Sequence, residues 1–180
     1  MRRTKGWIDD AHINELLAHC SPAEALAITL FADAGCRLRE GLRFDPSSLS
    51  GNLLRIWGSK SQRWRSVPIP DRLQRAIEAA TLDQEVTARK RLFPFSARQL
   101  QRRLLELCAL SDTPITTPHR LRHSYATRLH AEGVPLATIS HFLGHRNIAT
   151  TLLYLHVGDD DYERAAEALD RRARRGKPKR

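Results

Sequence analysis

The sequence predicts a mainly α-helical fold with one small antiparallel β-sheet, an α+β arrangement. Three observations predict it. Apolar residues recur at helical spacing through most of the chain. Helix-starting signals stand ahead of several of those stretches, as at Ser21-Pro22, Ser96 with Gln99, and Thr117-Pro118. Only Leu53 to Trp57 and Arg65 to Ile69 read as strands.

In order, Asp9 and Asp10 cap a first helix whose apolar positions are Ile13, Leu16, Leu17 and Cys20. Ser21 and Pro22 restart the chain as a second helix through Phe31. It is apolar nearly all round, which predicts a central place in the core, and Gly35 ends it. The two strands bracket Gly58-Ser59-Lys60-Ser61-Gln62-Arg63, a polar and basic hairpin loop, and Pro68 and Pro70 predict a sheet edge. Asp71 starts a helix to about Ala80. Ser96 and Gln99 form a capping box for a helix carrying Leu100, Leu104, Leu105 and Leu107. Thr117-Pro118 opens a helix that Gly133 ends, and Pro135 to Leu143 forms a short one stopped by Gly144. Asn147 caps a stretch through Tyr154. From Asp159 a weak amphipathic helix (Tyr162, Ala165, Ala166, Leu169) runs into a basic tail.

At 180 residues the chain fits one domain, at about one per 150 residues, and can bury roughly 70% of its unfolded surface without a metal or disulfide. Hydrophobic content of 41% and charged content of 28% exclude a disordered or fibrous chain. No apolar run approaches the length of a membrane span, and Met1-Arg2-Arg3 does not lead into a signal-peptide core. Cys20, Cys36 and Cys108 are too scattered for a disulfide framework or a zinc knuckle. The expected compartment is the bacterial cytoplasm, at the nucleoid.

The net charge of +10 comes from twenty-five Arg and five Lys against twenty acids. Part of the arginine excess is codon habit and ordinary solvation. Two clusters exceed that: residues 55 to 103 carry twelve basic and four acidic side chains, and the last ten residues carry seven basic ones. Arginine's planar fork matches phosphate bidentately, so a polyanion, nucleic acid first, is the expected partner.

His119, Arg122 and His123 lie on the first turns of a capped helix, where residues three and four apart share a face. Leu143-Gly144-His145 and Thr150-Thr151-Leu152-Leu153-Tyr154-Leu155-His156-Val157 follow, while Arg37 and Lys60 lie upstream. The set holds cations, imidazoles and a phenol but no carboxylate, so a multi-carboxylate magnesium site has no visible ligands. Phosphoryl transfer without a metal needs a nucleophile, cations for charge on the non-bridging oxygens, and an acid for the leaving oxygen. Two arginines, a lysine, a histidine and a tyrosine can supply those parts. Taken singly, Tyr154 reads as a packed aromatic, Lys60 as a solvated turn lysine, and Arg37 as the partner of Glu40 one turn away. His119 with His123, or His141 with His145, would be a metal pair lacking an acidic third ligand.

These residues resemble the catalytic domain of the tyrosine recombinases, the family of phage integrases, Xer resolvases and Cre. Ala34-Gly35-Cys36-Arg37-Leu38-Arg39-Glu40 is similar to the family's first box, and Gly58-Ser59-Lys60 before Val67-Pro68-Ile69 to its β-hairpin lysine segment. His119-x-Leu121-Arg122-His123 and Leu143-Gly144-His145 resemble the second box and its histidine, with Tyr154 in the nucleophile's place. The match runs from about Trp7 to Val157. Two positions depart from the pattern: Arg39 stands where a small residue is usual, and Gly41 where leucine is usual.

The resemblance implies that Tyr154 attacks a DNA phosphodiester, forming a 3′-phosphotyrosyl bond and releasing a 5′ hydroxyl. Arg37 and Arg122 would hold the scissile phosphate, His119 and His145 would bond it or move the phenolic proton, and Lys60 would act as general acid. His123 and His156 are read as orienting or structural. No metal, ATP or other cofactor is implied. The implied partner is double-stranded DNA, bound by a homo-tetramer on paired sites; without DNA the chain is expected to be a monomer. Binding would be salt-sensitive, with log affinity falling about 0.9 per neutralised phosphate per log unit of salt.

The implied organisation is a catalytic domain over residues 1–158 and a C-terminal helix and basic tail over 159–180, with Asp160 to Arg172 as a subunit contact. The family's usual N-terminal helical domain has no room here. The expectation is a minimal recombinase, like the fimbrial phase-variation enzymes, or part of a longer integrase. Two other activities fit the same residues: a catalytically silent DNA-binding regulator, and strand relaxation of the type IB topoisomerase kind.

Overall fold

The computed structural model describes residues 7–83, 92–145, 147 and 149–152. The helices among them are α1 (Asp10–Ala18), α2 (Pro22–Ala32), α3 (Leu38–Gly41), α4 (Asp71–Leu82), α5 (Ala97–Leu110), α6 (Pro118–Ala131), α7 (Leu136–Leu143) and α8 (Ala149–Leu152). A single sheet of β1 (Leu49–Ser50), β2 (Leu53–Gly58) and β3 (Arg63–Pro68) lies between α3 and α4 in the chain. This is the mainly helical, small-sheet architecture that the sequence predicts. No described helix is long and apolar enough to cross a membrane.

The helix starts follow local chemistry. Asp9 accepts from the His12 amide, Ser21 and Glu24 close a capping box, as do Ser96 and Gln99, and Thr117 accepts from the Arg120 amide. Each cap satisfies backbone N–H groups that have no partner within the helix. Helix α2 is the axle of the fold. Leu26, Ile28, Leu30 and Phe31 are fully buried, and α2 packs against α1, α3, α4 and α6. Each such side chain contributes about 1.5–3 kcal/mol by leaving water. Gly41 leaves the space that the Phe31 ring fills: a β-carbon there would lie 2.6 Å from the ring edge. Helix α2 ends at Ala32, and Gly35 follows it in a left-handed conformation.

The sheet is antiparallel in the order β1-β2-β3, so β3, with Pro68, forms an edge. Its second long strand begins two residues earlier than expected. Arg63 pairs with Gly58 and Trp64 with Trp57, which shortens the hairpin loop to residues 59–62. β1, only two residues long, is an addition. On the inner face Leu54, Ile56, Arg65 and Val67 are buried; Leu53, Trp57 and Trp64 are exposed on the outer face. A second, smaller apolar cluster of Tyr125, Ala126, Ile139 and Leu143 locks α6 to α7. The expected C-terminal helix from Asp159 and its subunit contact lie outside the described residues.

Candidate active site

Three consecutive carbonyls at the C-terminal end of α7 each accept from a different arginine. Arg65 Nε donates to Phe142 O at 2.8 Å, Arg122 Nη2 to Leu143 O at 2.7 Å, and Arg37 Nη2 to Gly144 O at 3.4 Å. The last carbonyls of a helix have no partner within it and carry partial negative charge, so cations are favoured there. One helix end thereby gathers guanidinium groups from α3's start, β3 and α6. Gly144, at φ 63°, closes α7 and turns the chain toward His145.

Arg122 lies one turn into α6 and is 3% exposed. Its Nη1 donates to the carbonyl of Gly35, and its Nη2 also meets His145 Nε2 at 3.0 Å. Arginine can only donate, so His145 accepts through Nε2. The imidazole is then neutral, with its remaining proton on Nδ1 and directed at Thr151 Oγ1, 2.9 Å away. Burial pushes His145 down from its ordinary 6.5 to about 4, reinforced by the charges of Arg122, Arg37 and Arg65. Thr151 is buried on α8, so the histidine ties the arginine cluster to the helix that precedes Tyr154.

Arg37 precedes α3 with extended backbone; its amide and Nη1 both bond Glu40, each at 2.9 Å. The Arg37 side chain remains 27% exposed, so it reaches the surface. Glu40 also receives Arg65 Nη2 at 2.7 Å. Burial alone would raise this carboxyl, but the hydrogen bond and charge of Arg65, with the bonds from Arg37, outweigh it and hold Glu40 at about 2. Arg65, 5% exposed, is the residue that motif reading missed. A signal for it exists: it alternates with Val67 and Ile69 on the inward face of a strand, where a charge needs partners. Its Nη1 is buried without a hydrogen-bond partner, beside Gly144, whose β-carbon would lie 3.1 Å away.

Next to this cluster opens a cleft of about 350 Å³, bordered by Ser61, Arg63 and Arg65 of the hairpin and by His141, Gly144 and His145. The structure thus brings Arg37, Arg122 and His145 together. Lys60 stands exposed on the hairpin loop, next in sequence to the cleft-lining Ser61. His119 is exposed on the first turn of α6, three residues before Arg122. Tyr154 and His156 lie outside the described residues. Among the described residues no three His, Cys, Asp or Glu side chains group as metal ligands.

A larger cavity, about 910 Å³, is bordered by Asp10, Asp33, Arg72, Tyr125 and Arg128. Its charges are largely committed to one another: Arg72 bonds Asp33 at 2.6 and 2.8 Å and Asp10 at 2.7 Å, and Arg128 reaches Asp33 at 3.0 Å. The network clamps α1, α2, α4 and α6. Tyr125, the one tyrosine among the described residues, is buried, and burial raises its phenol above the ordinary value. That phenol is a poor nucleophile; its ring instead packs against Gly35 and is part of the support under Arg122.

The model of the phage integrase family matches residues 6–161. Among curated proteins, the tyrosine recombinase XerA of Thermococcus kodakarensis is 32% identical over 154 residues, covering 80% of this chain and 54% of its own. This chain spans about half the length of that relative. Among solved structures, XerH site-specific recombinase bound to palindromic difH substrate, in a post-cleavage complex, superposes with a TM-score of 0.73 at 18% identity. That match covers 92% of this chain and 53% of the other. The catalytic domain of bacteriophage HP1 integrase gives 0.66 at 23% identity, covering 89% and 93%. The structural likenesses agree on the fold and the sequence matches on ancestry: the chain belongs to the phage integrase family.

Proposed function

We propose that this chain is the catalytic domain of a site-specific DNA recombinase that breaks and rejoins DNA through a 3′-phosphotyrosyl intermediate on Tyr154. The observation that carries the reading is the convergence of Arg37, Arg122 and neutral His145 on one helix end beside an open cleft. The relatives named recombinases, and XerH site-specific recombinase bound to its difH substrate, support DNA as substrate.

In this reading the scissile phosphate enters the cleft and exchanges with the carbonyls for part of the guanidinium hydrogen bonding. Arg122 is prearranged by Gly35 and Leu143, so little reorganisation is needed when negative charge develops on the non-bridging oxygens. His145 enters as the neutral Nδ1–H tautomer; as Arg122 turns to the phosphate, its Nε2 is freed to take the phenolic proton. Tyr154 Oη forms the P–O bond to the 3′ side as the bond to the 5′ oxygen breaks, and Lys60 delivers a proton to that oxygen. The phosphotyrosyl bond conserves the energy of the broken one, so rejoining to a partner's 5′ hydroxyl needs neither ATP nor a metal. His119, exposed on the same helix as Arg122, hydrogen-bonds the phosphate in this reading or shares in moving the phenolic proton.

Exchange requires paired duplexes, hence the proposed homo-tetramer on DNA, with residues 159–180 as its subunit contact and 1–158 as the catalytic unit. The test is recombination between two duplexes carrying its site. Recombinant product establishes the reading. Relaxation of supercoils without product supports a topoisomerase-like enzyme instead, and tight binding with neither supports a silent regulator.

A further inference from the structure

The outer face of the hairpin bears two tryptophans that the proposed cleavage chemistry does not use. Trp57 and Trp64 are directly opposed across β2 and β3, with ring centroids 5.3 Å apart and planes tilted by 55°. They remain 39% and 57% exposed, although an indole is among the side chains with most to gain from burial. Arg55 holds its guanidinium carbon 5.1 Å from the Trp64 ring centre. Trp64 also borders the 350 Å³ cleft, together with Arg65 and His145. On its other side Trp57 and Trp64 meet Arg39, Arg43 and Arg55 around a hollow of about 100 Å³. Among the described residues, none of these three arginines is paired with a carboxylate.

We propose that Trp57 and Trp64, framed by Arg39, Arg43 and Arg55, form a shelf that stacks an unpaired nucleobase of the DNA strand leaving the cleft. The inference rests on the DNA-cleaving reading above. Unpaired cations call for an anion, and exposed flat rings call for a π-face; a nucleotide carries both, whereas an acidic protein surface answers only the charge. The base must be unpaired, because within a duplex its faces are covered by stacked neighbours. Strand cleavage and exchange release such bases, and Trp64 stands where shelf and cleft adjoin. Arg39, which departs from the family's usual small residue, gains a use here as a phosphate contact at the shelf's edge.

The test uses the full chain as Tyr154→Phe, so that binding is read without cleavage. Its affinity is compared for a paired duplex and for the same duplex bearing a three-nucleotide flap with 2-aminopurine, whose fluorescence falls on stacking. The expected result is about tenfold tighter binding of the flapped DNA with quenching of the probe, as one stacked base provides. That preference collapses to near unity in both Trp57→Ala and Trp64→Ala, and is largely kept in Trp64→Phe. Equal affinity for the two DNAs, or an Ala variant that keeps the preference, overturns the shelf while leaving the DNA reading intact. Self-association lost in Trp64→Ala without any flap preference assigns the face to a second copy and likewise overturns it. Failure to bind either DNA overturns both readings.

Discussion

The guanidinium of Arg122 donates to the backbone carbonyl of Gly35, 87 positions earlier in the chain, and that carbonyl is held by a glycine pressed against a tyrosine. Gly35 takes φ 60°, and a β-carbon on it would lie 2.6 Å from Tyr125 Cδ1. Gly35→Ala therefore combines backbone strain with a clash. It is expected to cost about 1–3 kcal/mol of stability and to weaken DNA cleavage more than that loss explains, since Arg122 shifts with the carbonyl. Urea melts alongside single-turnover cleavage measure both effects.

Glu40 is the hub between Arg37 and Arg65. Removing one partner of a buried ion pair leaves an uncompensated charge, and Glu40→Ala strands the almost wholly buried Arg65. The expected destabilisation is about 3–5 kcal/mol, read as a lower urea midpoint. Because folding holds Glu40 at about 2 against an ordinary 4.5, its contribution is fully present above pH 4.5. It is lost as pH falls toward 2.

His145 gives stability a second acid dependence. Its folded value is about 4 and its ordinary value 6.5, so between these the unfolded chain binds the extra proton. Stability is expected to rise with pH from 4 to 6.5 and to be flat above in this respect. Urea midpoints across that window should show the rise in the parent and a smaller slope in His145→Gln.

Lys60 separates chemistry from folding. Its side chain is exposed, so Lys60→Ala should melt within about 0.5 kcal/mol of the parent yet cleave DNA about 10²–10⁴-fold more slowly, the range of a general acid. A substrate whose 5′ bridging oxygen is replaced by sulfur has a leaving group that needs no proton. On it the variant should recover most of the parental rate; no recovery would remove Lys60 from the acid's role.

What could be read in the sequence, and what could not, divides by range. The caps at Ser21, Ser96 and Thr117 and the stop at Gly144 follow from neighbours within four residues. Arg37, Arg122 and His145 were found by motif, and the structure brings them together. Arg65 escaped because its partners, Glu40 and the Phe142 carbonyl, lie 25 and 77 positions away. Leu105 was expected on the apolar stripe of α5 but is exposed, since Leu100, Leu104 and Leu107 already fill the buried face. β1 escaped because two residues cannot show a period; its pairing with β2 alone defines it.

Tyr154 is proposed to become covalently joined to DNA beside the Arg37–Arg122–His145 cluster. A nicked duplex of its own site, from which the short strand beyond the cut diffuses away, traps that state. The expected result is a denaturation-resistant protein–DNA adduct that forms in EDTA, maps to Tyr154 by peptide mass, and is absent in Tyr154→Phe. Tight binding to the same duplex without any adduct, or an adduct that persists in Tyr154→Phe, would contradict it.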